Sequence, residues 1–145
     1  MYFIRRTQEY YALSVLFHDA GLEVKIQKEI PQTALKLWEC LNEEEHLIAG
    51  CQLGMRSGHY VLESLAVENS YRGTGIGKEL LNLAEKEAMS MGAQEIWLVA
   101  KVPEYYEKFD WLRISSKEAP DISKCLHCGQ FEKSCFPAIM RKRLS

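Results

Sequence analysis

The chain has 145 residues and a mass of 16.7 kDa, with 47% hydrophobic and 26% charged residues, enough to enclose one core and too little for two well-formed domains. Eighteen basic against twenty acidic residues give a formal charge of −2, which excludes a strong overall field drawing the protein onto nucleic acid or anionic lipid. No apolar run reaches the roughly 20 residues that cross a bilayer, and the opening Met1-Tyr-Phe-Ile-Arg5 lacks a signal-peptide pattern; the expectation is a soluble cytoplasmic protein with no membrane partner.

With no repeat and no Gly/Ser linker, the whole of residues 1–145 is expected to form one domain, with 116–145 as a cysteine-containing C-terminal extension. Residues 2–6 read as an opening strand, and Thr7 is placed to cap a helix running to about Asp19. Tyr10, Leu13, Leu16 and Phe17 form its apolar stripe, and Gly21 supplies the stop. Residues 22–33 fit a helix or an irregular strand equally, ended by Pro31. Three strands follow at 34–41, 46–53 and 59–67, an antiparallel meander joined by polar turns at 42–45 and 56–58. From residue 75 to 91 the period changes, and Ile76, Leu80, Leu83, Ala84 and Ala88 share one helix face before Gly92 ends it. Residues 96–99 are an apolar run suited to the centre of a sheet. Pro103 opens a short helix to Phe109, and strands are expected at 111–115 and 136–144. Two interleaved periods predict an α/β (α+β) domain, a mixed, mostly antiparallel sheet with helices against it.

The sharpest local signal is Val67-Glu-Asn-Ser-Tyr-Arg72-Gly73-Thr74-Gly75-Ile76-Gly77, between a strand and the strongest amphipathic helix. Glycines allow a tight turn and close approach of a ligand, the helix start offers free N–H donors and a positive dipole end, and Arg72 adds a fixed charge. That chemistry suits a phosphate or pyrophosphate. The Gly-Lys-Ser/Thr ending of the common ATPases is absent, and the glycine spacing is not that of the dinucleotide fingerprint. A plain tight turn with a solvent-facing arginine is the alternative.

The segment resembles the coenzyme A pyrophosphate loop of the GNAT superfamily of N-acetyltransferases, whose Arg/Gln-x-x-Gly-x-Gly/Ala pattern is met by Arg72, Gly75 and Gly77. The opening Phe3-Ile-Arg-Arg-Thr-Gln-Glu-Tyr, the strand Leu65-Ala-Val67 and the segment Pro103-Glu-Tyr-Tyr106-Glu-Lys-Phe-Asp-Trp111 are similar to further parts of that family, in its order, over about three quarters of the chain. Asp110 stands where the family usually has glycine, and the asparagine often found before the tyrosine is missing. The resemblance implies the acyl-CoA N-acyltransferase fold and acetyl-CoA as donor, held by Leu65, Ala66, Val67, Arg72, Gly73, Thr74, Gly75, Ile76, Gly77, Lys78 and Tyr106. It implies direct transfer to an amine in a ternary complex, with Tyr106 protonating the departing sulfur and a backbone N–H of residues 65–67 meeting the oxyanion.

By position alone Tyr106 is better read as a packed helix tyrosine, with Tyr105 the alternative acid if the helix is rotated. Glu63 is the candidate general base, a carboxylate in a row with Val61, Leu65 and Val67; a substrate-amine anchor and a surface glutamate are the other readings. His18, His46, His59 and His127 read as turn or surface histidines. Cys125, Cys128 and Cys135 supply three soft metal ligands but no fourth, which Cys40, Cys51 or a symmetry partner would have to complete; a redox or disulfide role is a second reading, and free thiols are preferred to both. Arg141-Lys-Arg143 reads as a solvated strand edge. The preferred acceptor is a small amine or amino acid, with a peptide or protein acceptor, a non-catalytic acyl-CoA-binding module and a zinc-stabilised interaction module as rivals. Family members often pair as dimers, and nothing in the sequence fixes such an interface.

Overall fold

The computed structural model describes residues 1–122 and 137–144. In chain order the described elements are β1 (Tyr2–Arg6), α1 (Tyr10–Asp19), β2 (Ala34–Asn42), β3 (Leu47–Arg56), β4 (His59–Val67), α2 (Ile76–Ser90), β5 (Glu95–Ala100), α3 (Pro103–Glu107), β6 (Leu112–Ile114) and β7 (Ala138–Arg143). The strands form one sheet in the order β1-β2-β3-β4-β5-β7-β6. Pairing is antiparallel at β1/β2, β2/β3, β5/β7 and β6/β7, and parallel at β4/β5. This is the mixed, mostly antiparallel sheet with helices that the change of period along the sequence predicts. Among the described residues no helix is long and apolar enough to cross a membrane.

Two compact units share these elements, the first made of residues 1–54 and 62–87 and the second of residues 55–61 and 88 onward. In the first unit, Tyr10, Leu13 and Phe17 of α1 pack with Leu37 and Ala66, and Leu16, Leu22, Val24 and Leu47 close over them. Burying a side chain such as Phe17 contributes about 1.5–3 kcal/mol, so this cluster is the main reason α1 stays on the sheet. Gly21 ends the helix with φ 86°: the Gly21 N–H donates to His18 and the Leu22 N–H to Phe17, satisfying two of the last carbonyls. The helix begins at Tyr10, three residues beyond the expected cap. Thr7 instead accepts the Glu9 N–H on its hydroxyl at 3.0 Å, closing a turn before the helix, and Glu9 takes the N-cap position without a side-chain bond.

Residues 22–33 form neither helix nor strand. In β2, register shifts fall between Ala34 and Lys36 and between Cys40 and Leu41; from Lys36 to Cys40 the pairing is unbroken, and residues 37–41 are buried on both faces of the strand. The β3/β4 connection places Ser57 at φ 51° and Gly58 at φ 79°, the double positive φ of a two-residue hairpin turn. In α2, Ile76, Leu80, Ala84 and Ala88 are buried as the periodicity requires; Leu81 is buried as well and Leu83 only half so, which turns the buried stripe slightly from the predicted face.

In the second unit, Val61, Trp97, Ile122 and Ile139 form the core with Val99, Ile114 and Ala119 against them. The last strand lies between β5 and β6, so Arg141-Lys-Arg143 is in an interior strand of the sheet and not on the expected edge. Arg141 accordingly stacks its guanidinium 5.8 Å from the Trp97 ring centroid, an arrangement that lets a cation sit on apolar surface. Trp111 precedes β6 instead of opening it and is 1% exposed. Phe136, expected to open the last strand, lies outside the described residues, as do Cys125, His127, Cys128 and Cys135.

Candidate active site

β4 carries the carboxylate and delivers the chain to the glycine loop. Glu63 sits at its centre, half-buried, in the alternation that also places Val61, Leu65 and Val67. Its two oxygens accept from the Thr33 hydroxyl at 3.0 and 2.9 Å, and one of them accepts from the Gln52 amide nitrogen at 3.0 Å. Gly54, on β3, makes the room: a Cβ built there would overlap the Glu63 carboxyl group and stand 2.7 Å from the Thr33 carbonyl oxygen. The fourth neighbour is Tyr10 of α1, 3% exposed, whose phenol pKa is pushed up first by burial and then by the negative charge of Glu63. A carboxylate with donors on both oxygens has a fixed direction, which either an amine anchor or a proton acceptor needs.

Beyond Val67 a single 3-10 turn, Asn69–Tyr71, leads into the loop. Gly73 and Gly75 have φ 81° and 90°, a conformation that strains any side chain with a Cβ, and a Cβ at either would meet nothing within 4 Å. Their backbones therefore face open space. Arg72 is exposed and donates its Nε to the Val67 carbonyl at 3.4 Å; the Thr74 hydroxyl donates to the Tyr71 carbonyl at 2.5 Å. The helix closes at once, with the Glu79 N–H on the Gly75 carbonyl, while Ile76 and Gly77 are buried and Lys78 is exposed. Arg72, Gly73, Thr74 and Gly75 thus stand together at the N-terminus of a 15-residue helix, the arrangement expected for an anion.

Tyr106 lies in the second unit, on α3, which Pro103 opens from a buried first position. Its ring is edge-on to Tyr105 at 5.2 Å and to Trp111 at 6.0 Å, and its carbonyl accepts the Phe109 and Trp111 N–H groups. Tyr105 packs edge-on against Phe109 at 5.3 Å, and burial raises its phenol pKa. Both tyrosines are half-buried. Asp110 adopts φ 69°, so the aspartate occupies the left-handed conformation for which glycine is the ordinary choice; aspartate is among the few residues that tolerate it.

The other candidates separate. His18 sits exposed at the end of α1, its Nδ1 3.1 Å from the Val24 carbonyl; His46 is exposed in the turn before β3; His59 lies edge-on to Trp97 at 6.1 Å. Cys40 and Cys51 are buried free thiols, and among the described residues no cluster of three or more His, Cys, Asp or Glu side chains could hold a metal ion. Sequence reasoning missed Thr33, Gln52, Gly54 and Tyr10 around Glu63. The signal was present for two of them, since Gln52 and Gly54 are a polar residue and a strand glycine in an otherwise apolar run, where each needs a reason.

A model described as the Acetyltransferase (GNAT) family matches residues 4–111 of this chain. No curated protein matches the sequence. Among solved structures, the chain is similar to an N-acetylglutamate synthase from Neisseria gonorrhoeae, complexed with coenzyme A and N-acetyl-glutamate, at TM-score 0.81 and 14% identity over 100% of this chain. It spans only 35% of that protein's length. It is also similar to an acetyltransferase of the GNAT family from Staphylococcus aureus Mu50, at TM-score 0.73 and 15% identity over 100% of both chains. A GNAT family N-acetyltransferase from Escherichia coli, in complex with CoA, matches at TM-score 0.73 and 13% identity over 99% of this chain and 82% of its own.

Proposed function

Since the chain belongs to the acetyltransferase (GNAT) family, we propose that it transfers the acetyl group of acetyl-CoA directly to the primary amine of a small molecule or amino acid. The observation that carries this reading is the loop before α2: an exposed arginine, two glycines held at positive φ with open space before them, and the N-terminus of a long helix. Arg72 and the backbone N–H groups of residues 73–78 hold the pyrophosphate of the donor. Similar folds solved with coenzyme A support that choice of donor.

In the transfer the amine nitrogen attacks the thioester carbonyl, the oxyanion is met by a backbone N–H of residues 65–67, and the carbon–sulfur bond breaks. Glu63 takes the proton that the amine loses, directly or through water, and Tyr106 supplies one to the departing coenzyme A thiolate. The donors from Thr33 and Gln52 keep the carboxylate in one orientation while this happens.

Thermal shift with acetyl-CoA, coenzyme A, ATP and NAD tests the donor, and thiol release in the presence of a panel of primary amines tests the transfer. The expected result is stabilisation by the two coenzyme A species alone and thiol release that depends on an amine. Stabilisation by none, or by all four equally, overturns the reading. Binding of acetyl-CoA with no product from any amine or peptide favours a non-catalytic acyl-CoA-binding module.

A further inference from the structure

Gln52 is 4% exposed, in the interior of β3, and only one end of its amide is satisfied. The nitrogen donates to Glu63 at 3.0 Å, while the side-chain oxygen is buried with no hydrogen-bond partner among the described residues. The reverse orientation of the amide is worse, because it sets two acceptor oxygens against each other and buries the nitrogen unpaired. A buried carbonyl without a donor is destabilising, and an apolar side chain of the same length would remove that penalty. Glu63, being half-buried, retains the Thr33 hydroxyl when Gln52 is replaced. The unpaired oxygen thus offsets what the bond to the Glu63 carboxylate contributes to stability.

We propose that Gln52 is a positioning residue for acetyl transfer, aiming the Glu63 carboxylate at the expense of fold stability. The proposal rests on the reading of Glu63 as the group that handles the acceptor's proton. Thr33 is the second support: its hydroxyl lies within reach of both carboxylate oxygens, whereas Gln52 donates to one oxygen alone and so distinguishes the two. Gly54 completes the arrangement by leaving room for the carboxyl group. Sites in which a local rule is broken without a stabilising return are where function is expected.

The test compares Gln52→Met and Gln52→Leu with Glu63→Gln and wild type. Each protein is measured for melting temperature, for the carbon-13 resonance of the Glu63 carboxyl group (identified by its loss in Glu63→Gln), and for transfer from acetyl-CoA to the best acceptor in a panel of primary amines. The expected outcome is that at least one Gln52 variant melts at or above the wild-type temperature while its Glu63 resonance moves. Its kcat falls by about tenfold, with KM for acetyl-CoA within about twofold, as misplacement of a reacting group predicts. Melting well below wild type in both variants, or an unmoved resonance, overturns the proposal. A fully active Gln52 variant beside an impaired Glu63→Gln overturns the role of Gln52 alone. A Glu63→Gln protein as active as wild type overturns the role of Glu63 and this one with it.

Discussion

Gly54 leaves vacant the volume that the Glu63 carboxyl group fills. An alanine at position 54 would meet both that carboxyl group and the carbonyl oxygen of Thr33, and the second cannot yield without moving backbone. Gly54→Ala is expected to cost about 1–3 kcal/mol, the range for overpacking a close-fitted site. It also turns Glu63 away, so transfer activity should fall further than stability does. Urea denaturation and steady-state kinetics on the same preparation separate the two.

Gly75 offers a second substitution with a stated cause. Its φ of 90° is outside the reach of a β-branched residue, and Gly75→Val is expected to cost about 1–3 kcal/mol of local strain and to disturb the start of α2. The loop is exposed, so the strain should appear mainly as weakened acetyl-CoA binding in calorimetry, with a smaller change in melting temperature.

Asp110 reverses the argument. Because the aspartate already bears a left-handed conformation, Asp110→Gly is expected to leave stability unchanged or raise it, whereas Asp110→Val should cost about 1–2 kcal/mol. Chemical denaturation midpoints decide between them. The departure from the family's glycine is thus a change of residue with the turn retained.

A pH dependence follows from the buried thiols. Burial raises the Cys40 pKa from 9.0 to about 11, with the Glu79 charge adding to it, and burial raises Cys51 beyond that. Between pH 9 and 11 the unfolded chain loses the Cys40 proton while the folded chain keeps it, so stability present below pH 9 declines as pH rises. Each such thiol steepens the decline by up to about 1.4 kcal/mol per pH unit. Cys40→Ala should show a shallower fall in unfolding free energy between pH 9 and 11 than wild type.

The elements with strong periodicity were legible in the sequence: α2 and β4 fall where apolar spacing puts them, and the glycine loop is read from residue types alone because positive φ and a helix start each demand particular chemistry. What the sequence conceals is non-local. The insertion of β7 between β5 and β6 depends on pairing at long separation, for which Arg141-Lys-Arg143 carries no local mark. The surroundings of Glu63 are hidden in the same way. Thr33 comes from a segment without regular structure, Tyr10 from a helix and Gln52 from another strand, and only the fold brings them to one carboxylate. Thr7 misled because a hydroxyl before a helical pattern serves a turn as readily as a cap.

Titration of the protein with acetyl-CoA, followed by backbone amide resonances, tests the central claim most directly. The account predicts saturable shifts concentrated at residues 65–78, with the largest at Gly73, Gly75 and Ile76, and their loss of affinity in Arg72→Ala. Resonances of that segment unmoved at saturating acetyl-CoA would contradict it.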